Sequence, residues 1–349
     1  MKKYRRLLVI TILSLLTIFG LIRLGNIELS PATLARVHGG WLLLVFVSFY
    51  LSILARGWRW RRILKTMGWP VDFVYAATLL TAGLFISAIL PARAGDIGRV
   101  AMLKQDYKIP MAQGIASIAA ERALDVFSIL CLALLGAWWA LPEQVPAEVL
   151  QLMVGGTLLF GIGLLSLLIV PTIEPWLREP PYLKRGLPPK IWSIYQKMID
   201  FGFSLMHGVR LLGKKPMALT IIMAASFLIW LGDVLLVYLA LITIGLATPL
   251  RISLFTAMVS DLAIAIPITP GAIGQFEAVL IGLLSLFDVS RTDSSLATLI
   301  LRLVSLWTFI PVSGLVTYIF GFSRALKLNK VAETPPVSTL ASTPTSAES

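Results

Sequence analysis

Charge is scarce in this chain of 349 residues. Asp, Glu, Lys and Arg make up 14% of it, against about 25% in a soluble globular domain. Hydrophobic residues make up 57%, and several apolar runs reach or approach the ~20 residues that a helix needs to cross a hydrocarbon core. A soluble fold is excluded, and a polytopic α-helical membrane protein is implied. The runs are continuous rather than alternating, which argues against a membrane barrel. Cysteine is almost missing. Cys131 is the only one and lies in an apolar run, so neither an intramolecular disulfide nor a cysteine metal site is possible. The two histidines, His38 and His207, are far apart in sequence and make no zinc-ligand pattern. P-loop, G-x-S-x-G and zinc-ligand signatures are absent from the sequence. We therefore expect no metal, no cofactor and no recognisable catalytic residue.

Acidic residues are outnumbered, 18 to 30, for a net charge of +12. In a soluble protein that balance would suggest nucleic acid. Here the basic residues cluster beside apolar runs, which is the topology signal of a membrane protein, and nucleic acid is not expected as a partner. The apolar segments fall at about 7–24, 41–56, 73–90, 122–141, 150–172, 217–246, 252–287 and 296–320. Basic clusters occupy the N-terminal stub, RGWRWRRILK (56–65), the stretch 91–121, the long loop 173–216 and the C-terminal segment after 320. The loop 142–149 carries two glutamates and no positive charge, and 288–295 has only Arg291.

One arrangement puts every basic cluster on the cytoplasmic side. Segment 73–100 enters from the cytoplasm and returns there; segment 252–287 enters from outside and returns there; the other six segments cross. The expected fold is thus an all-α polytopic membrane protein with six transmembrane helices, two re-entrant helical hairpins and both termini cytoplasmic. The N-terminal MKKYRRLLVITILSLL has the look of a signal peptide but no convincing cleavage site follows, so it is read as a retained first helix. Residues 1–330 form a single membrane domain, with units of about 7–141 and 150–322. An amphipathic stretch in the cytoplasmic loop 173–216 reads either as an interfacial helix or as a helix packed on the bundle. The tail 331–349, rich in Pro, Ser and Thr, is expected to be disordered.

Helix breakers mark the two hairpins. Pro91-x-x-x-Gly95-x-Ile97-Gly98 returns as Pro267-x-x-x-Gly271-x-Ile273-Gly274. Broken backbone at membrane depth survives only where protein or a wet cavity satisfies it. Opposite entry of two such units is an inverted-topology repeat, the architecture of many transporters.

Asp96, Glu121, Arg122, Asp125, Asp233, Asp261, Glu277 and Arg302 lie within or at the ends of apolar segments. Each charge at the bilayer centre costs roughly 2.5–3.5 kcal/mol on insertion scales, so they must pair, lose charge or meet water. Glu121 and Asp125, four apart, share a helix face. Each hairpin is expected to face an arginine on the following helix, Arg122 or Arg302. Buried salt bridges that only fix packing are one reading of the set; a substrate path is the other. Arg93 and Arg99 flank the first break, and a helix restarting near Gly95 offers free N–H groups. Arginine binds phosphate through a fork of donors. RGWRWRRILK reads as an anchor at the membrane interface, with collection of lipid phosphates as the alternative.

RGWRWRRIL, GLFISAILPARAGDIGRVAML, SIAAERALDVF and ITPGAIGQFEAVLIGLL together resemble the transmembrane region of lysylphosphatidylglycerol synthases, over about residues 5–325. The resemblance implies the flippase-like half as a free-standing member, without the soluble aminoacyl-transferase domain. Its motif positions here are Pro91, Arg93, Gly95, Asp96, Arg99, Glu121, Arg122, Asp125, Pro270, Gly271, Gly274 and Glu277. Ala272 stands where the second motif often has glycine. The expected substrate site is Arg93, Gly95, Asp96, Arg99, Glu121, Arg122, Asp125, Gly271, Gly274, Glu277 and Arg302. The expected activity is flipping of an anionic phospholipid or lipid-linked substrate in the inner or plasma membrane. Two alternatives stand beside it: an intramembrane enzyme acting on a lipid-linked substrate, and a non-catalytic membrane partner of a lipid-modifying enzyme. A homo-oligomer is left open.

Overall fold

A computed structural model describes residues 35–89, 94–140, 210–265 and 269–333, with isolated helical positions between 151 and 203. The expected crossing 7–24, most of 150–172 and most of the 173–216 loop with its amphipathic stretch lie outside the described residues. So do Pro91, Arg93 and Pro267, and the chain beyond 333.

Every described element is helical. In chain order they are α1 (Gly39–Thr66), α2 (Phe73–Ile89), α3 (Ala94–Tyr107), α4 (Met111–Ala140), α5 (Pro216–Thr243), α6 (Leu250–Ala263), a 3₁₀ turn (Pro270–Ala272), α7 (Gln275–Ser285), α8 (Arg291–Arg302), a π-helical turn (Leu303–Thr308) and α9 (Phe309–Glu333). Four rods are long and apolar enough to cross a membrane: α1, α4, α5 and the continuous stretch Arg291–Gly321. At ~1.5 Å per residue, the 28 residues of α1 span about 42 Å. By the same rise α6 (14 residues) and α7 (11 residues) reach only about 21 and 17 Å, short of the ~30 Å hydrocarbon thickness.

Local sequence sets where the rods begin and end. Pro216 opens α5, where its missing N–H has no helical partner to lose. Ser290 caps α8 by accepting from the Asp293 N–H at 3.1 Å. α1 and α5 end alike. Gly68 (φ 95°) and Gly245 (φ 83°) take the left-handed conformation just past each helix. The following Trp69 and Leu246 N–H groups donate back to the Leu64 and Leu241 carbonyls, the Schellman closure.

The two expected hairpins are helical hairpins in the structure. In the first, α2 and α3 run antiparallel: the Gly95 N–H donates to Ser87 Oγ at 3.2 Å near the tip, and the Tyr75 hydroxyl donates to Asp106 at the base. In the second, α6 and α7 close on each other, with Gln275 Nε2 donating to the Ala263 carbonyl near the tip and Phe255 meeting Phe287 at the base.

Packing between the rods is reciprocal. α1 lies along α5; α2 lies on α9; α6 lies on α4. Lipid is as apolar as a leucine surface, so these contacts rely on close fit rather than on escape from water. Glycines supply the fit. A Cβ on Gly57 of α1 would come within 2.8 Å of the Ala77 Cα of α2. One on Gly136 of α4 would come within 2.9 Å of the Phe255 Cα of α6. One on Gly95 would overlap the Gly83 carbonyl oxygen at 1.8 Å.

Gly95→Ala and Gly136→Ala are therefore expected to destabilise the detergent-solubilised protein by about 1–3 kcal/mol or more through forced separation of backbones. Gly232→Ala, whose Cβ meets nothing within 4 Å, is expected to be neutral or to stabilise by up to about 1 kcal/mol. Thermal unfolding followed by circular dichroism separates the cases; equal transition temperatures for all three variants would contradict this packing.

Candidate functional site

The buried charges gather first around α4. Arg59 of α1 is fully buried. Its Nη1 donates to Asp125 Oδ1 at 2.6 Å and to Ser226 Oγ at 2.8 Å, and its Nη2 reaches Glu121 Oε1 at 3.4 Å. Arg99 of α3 donates to Glu121 Oε2 at 2.7 Å and to Asp96 Oδ1 at 3.3 Å, and its guanidinium lies 3.9 Å from the Trp60 ring centre. Arg122 closes the chain by donating to Asp96 Oδ2 at 3.0 Å. The Trp230 indole N–H adds a bond to Asp125 at 3.0 Å. Arg59, Arg99 and Arg122 thus face Asp96, Glu121 and Asp125. The formal charges cancel, as they must where charge is so poorly solvated.

The second gathering is at the break between α6 and α7. Gly271 (φ 63°), Ala272 (φ 50°) and Gly274 (φ 84°) all turn left-handed there. Glycine takes that conformation freely; buried Ala272 takes it at a strain of about 1–2 kcal/mol. Arg302 of α8 binds the exposed backbone, with Nη1 to the Gly271 carbonyl at 3.1 Å and Nη2 to the Ala272 carbonyl at 2.8 Å. It also forks onto Glu277, Nε to Oε1 at 2.7 Å and Nη2 to Oε2 at 2.9 Å. Glu277 in turn accepts from the Gly274 N–H at 2.8 Å.

Between the two hairpin tips lies a cavity of about 410 Å³, within the range of small-molecule sites. The end of α2 contributes Ser87 and Ala88, and the second break contributes Gly271 and Ala272. Most of the wall is apolar, from Val45, Phe49, Leu236, Val237, Leu301 and Phe309 among others. The charged groups in the wall are Arg56, Arg122, Arg302, Asp233 and Asp261. Arg56 Nη2 donates to Asp233 Oδ2 at 2.6 Å, and its guanidinium lies 4.7 Å from the Trp230 ring centre.

Of the expected site residues, Gly95, Asp96, Arg99, Glu121, Arg122 and Asp125 come together in the first gathering, and Gly271, Gly274, Glu277 and Arg302 in the second. Arg93 lies outside the described residues. Only Arg122, Gly271 and Arg302 of the set line the cavity. Arg99, Glu121 and Asp125 are buried behind it in ion pairs. The stretch RGWRWRRILK forms the last turns of α1, which ends at Thr66, but Arg59 and Trp60 within it are among the most buried side chains rather than facing a membrane interface. Arg56, Asp233 and Asp261 belong to the cavity although the expected site leaves them out. One signal was available for Arg59. Arg56, Arg59, Trp60 and Ile63 follow the three–four spacing of one helix face, while Arg61 and Arg62 fall on another.

Among the described residues, an all-helical bundle with four helices long and apolar enough to cross a membrane, and paired charges within it, defines a multi-pass membrane protein. The model of the lysylphosphatidylglycerol synthase transmembrane region matches residues 7–313, and the chain belongs to that family. It is similar to a UPF0104 membrane protein of Pyrococcus horikoshii, 25% identical over 335 residues, 90% of this chain and 96% of that protein. A UPF0104 membrane protein of Methanocaldococcus jannaschii is 23% identical over 236 residues, 68% of this chain and 94% of the other. Glycosyltransferase AglD of Haloferax volcanii is 26% identical over 310 residues, 81% of this chain but 48% of AglD. No solved structure matches the chain.

Arg59→Ala is expected to destabilise the fold by about 3–5 kcal/mol, because it strands the Asp125 charge in the interior. Arg36→Ala, which removes a pair to Asp293 from a side chain 45% exposed, is expected to change stability by about 1 kcal/mol or less. Unfolding in detergent measures both; equal effects would show that the inner network carries no more than a surface pair.

Proposed function

We propose that the chain translocates an anionic phospholipid or lipid-linked phosphate across the bilayer, holding the headgroup in the cavity between the hairpin tips. The observation that carries this reading is the cavity itself, with Arg56 and Arg122 set in a largely apolar wall. Each arginine spends one nitrogen on a carboxylate, and neither has another hydrogen bond among the described residues. Their remaining donors can fork onto phosphate, while the acyl chains stay in lipid. Arg99 and Arg302 then serve as braces, since their donors are committed to carboxylates and backbone.

On this reading each hairpin is re-entrant, from opposite leaflets, and the chain is an inverted repeat of six crossings with both termini cytoplasmic. Four features support it: the reciprocal packing of α2 on α9 and α6 on α4, the matched closures of α1 and α5, the half-span lengths of α6 and α7, and the distribution of basic loops. Rocking of one unit against the other would open the cavity to alternate leaflets. The inner or plasma membrane is the proposed site of action. The family's name, which includes a phospholipid synthase, agrees with a lipid substrate.

The partial match to a glycosyltransferase favours a second reading, a membrane partner for an enzyme that modifies a lipid-linked substrate, because it covers only 48% of that protein. An enzyme within the bundle itself is less well supported: Glu121 and Asp125 are both bound by arginines, which leaves neither carboxylate free for acid–base work.

Reconstitution in proteoliposomes with fluorescent phosphatidylglycerol, read by quenching of the outer leaflet, tests translocation. Arg122→Ala is expected to slow headgroup transfer by about 10–100-fold, the loss of a charged hydrogen bond, with partial recovery in Arg122→Lys. A wild-type rate no higher than that of protein-free vesicles would refute the reading. The topology has its own test in a Cys131→Ser background with single cysteines and an impermeant maleimide. Pro70→Cys and Pro110→Cys should label from one face of the membrane, and Leu250→Cys and Arg291→Cys from the other. Labelling of either pair from two faces would refute re-entry.

A further inference from the structure

Among the described residues, the carboxylates of the interior are bound by arginine with one exception. Asp96, Glu121 and Asp125 of the first gathering, Glu277 of the second and Asp233 of α5 each have a guanidinium partner. Asp261, in the last turn of α6 beside the second break, lines the cavity and has no hydrogen bond or ion pair among the described residues. The charged groups around it come from every neighbouring side. α1 presents Arg56, α5 presents Asp233, α4 presents Arg122 and α8 presents Arg302 to the same cavity. α7 offers only Glu277, already held by Arg302. Arg122 is engaged by Asp96 and Arg302 by Glu277 and backbone. Arg56 is engaged in turn by Asp233, so each of these arginines has a carboxylate other than Asp261.

We propose that Asp261 is a proton-binding site of the cavity. A carboxylate without a counter-ion in a wall of Leu236, Val237, Ala257 and Ile264 is neutralised most simply by a proton on one of its oxygens. The proton comes from water on the side to which the cavity is open and returns to water when the cavity opens to the other side. No bond other than Oδ–H forms or breaks. An anionic headgroup held by Arg56 and Arg122 brings further negative charge beside the Asp233 and Asp261 pair. Proton uptake by Asp261 offsets it, so headgroup and proton bind with positive linkage. This consequence rests on the translocation reading; the proton site itself does not.

Infrared difference spectroscopy of the full-length protein in lipid, stepped in pH, tests the site without any substrate. The wild type is expected to show the C=O stretch of a protonated carboxylic acid that titrates and shifts in D₂O. Asp261→Asn should lose that band, Asp261→Glu should keep it at a shifted frequency, and Asp293→Asn, a surface control, should leave it intact. A wild-type spectrum with no such band, or a band that persists in Asp261→Asn and vanishes in Asp233→Asn, would overturn the proposal. In proteoliposomes with fluorescent phosphatidylglycerol, a pH step of one unit, a tenfold change in proton activity, should change the wild-type rate by up to about tenfold and leave Asp261→Asn unresponsive. A wild-type rate indifferent to the gradient would overturn the linkage. Absence of any transfer would instead count against translocation, and the infrared result would still decide the proton site.

Discussion

A helix broken inside a bilayer frees carbonyls and N–H groups that lipid cannot bind, and at the break of the second hairpin Arg302 takes two of the freed carbonyls. Arg302 accepts the geometry of the break: its fork spans the Gly271 and Ala272 carbonyls while its other edge lies on Glu277. Glu277 cancels the charge and also takes the Gly274 N–H. The circuit is closed, with backbone, cation and anion each satisfying the other two. Without it those carbonyls would lose their partners, and the turn forms one wall of the cavity. The shape of that wall therefore depends on how one arginine is neutralised.

The first hairpin solves a related problem with more parts. Asp96, in the opening turn of α3, sits where the helix dipole favours a negative charge. It then ties Arg99 of its own helix to Arg122 of α4. The close approach of Gly83 and Gly95 brings the two arms together beneath Arg99. In both halves, then, a carboxylate on the second arm of the hairpin meets an arginine on the next long helix. The first half continues the chain through Glu121 to Arg59 and so fastens α1 as well.

Composition was enough to read the class of the protein, because charge content and run length follow directly from the solvent. The second break was legible too: its turn falls on Pro270–Ala272, inside the Pro/Gly motif, while Pro91 of the first motif lies outside the described residues. Glu121, Arg122 and Asp125 stood out as charges in an apolar run. Partners were another matter. Nothing local shows that Arg59 would meet Asp125 from 66 residues away, since such pairing is set by how α1 packs on α4. A tryptophan- and arginine-rich stretch at an interface and one buried in a bundle have the same composition; only the helical spacing distinguishes the faces. Asp233 and Asp261 were visible as buried charges, yet their membership of the cavity depends on both hairpins meeting, which no single segment encodes.

The Arg56–Asp233 pair connects the charge pattern to the two-unit reading. Gly68 closes α1 and Gly245 closes α5 in the same way. Counted back from these glycines, Arg56 and Asp233 occupy the same place on their helices. On the two-unit reading they are equivalent positions, and α1 and α5 pack directly on each other. Equivalent positions on two helices packed about a shared axis approach one another, so like charges there would repel at close range in a poor dielectric. Opposite charges turn the same geometry into a 2.6 Å ion pair. If the two units rock as proposed, a pair on their axis moves least, whereas groups on the hairpins move most. Fixed charge near the axis and variable charge at the tips is the arrangement a two-sided cavity requires. On the translocation reading, Arg56 would hold the same ligand in both orientations, and Asp261, at a tip, would see its surroundings change between them.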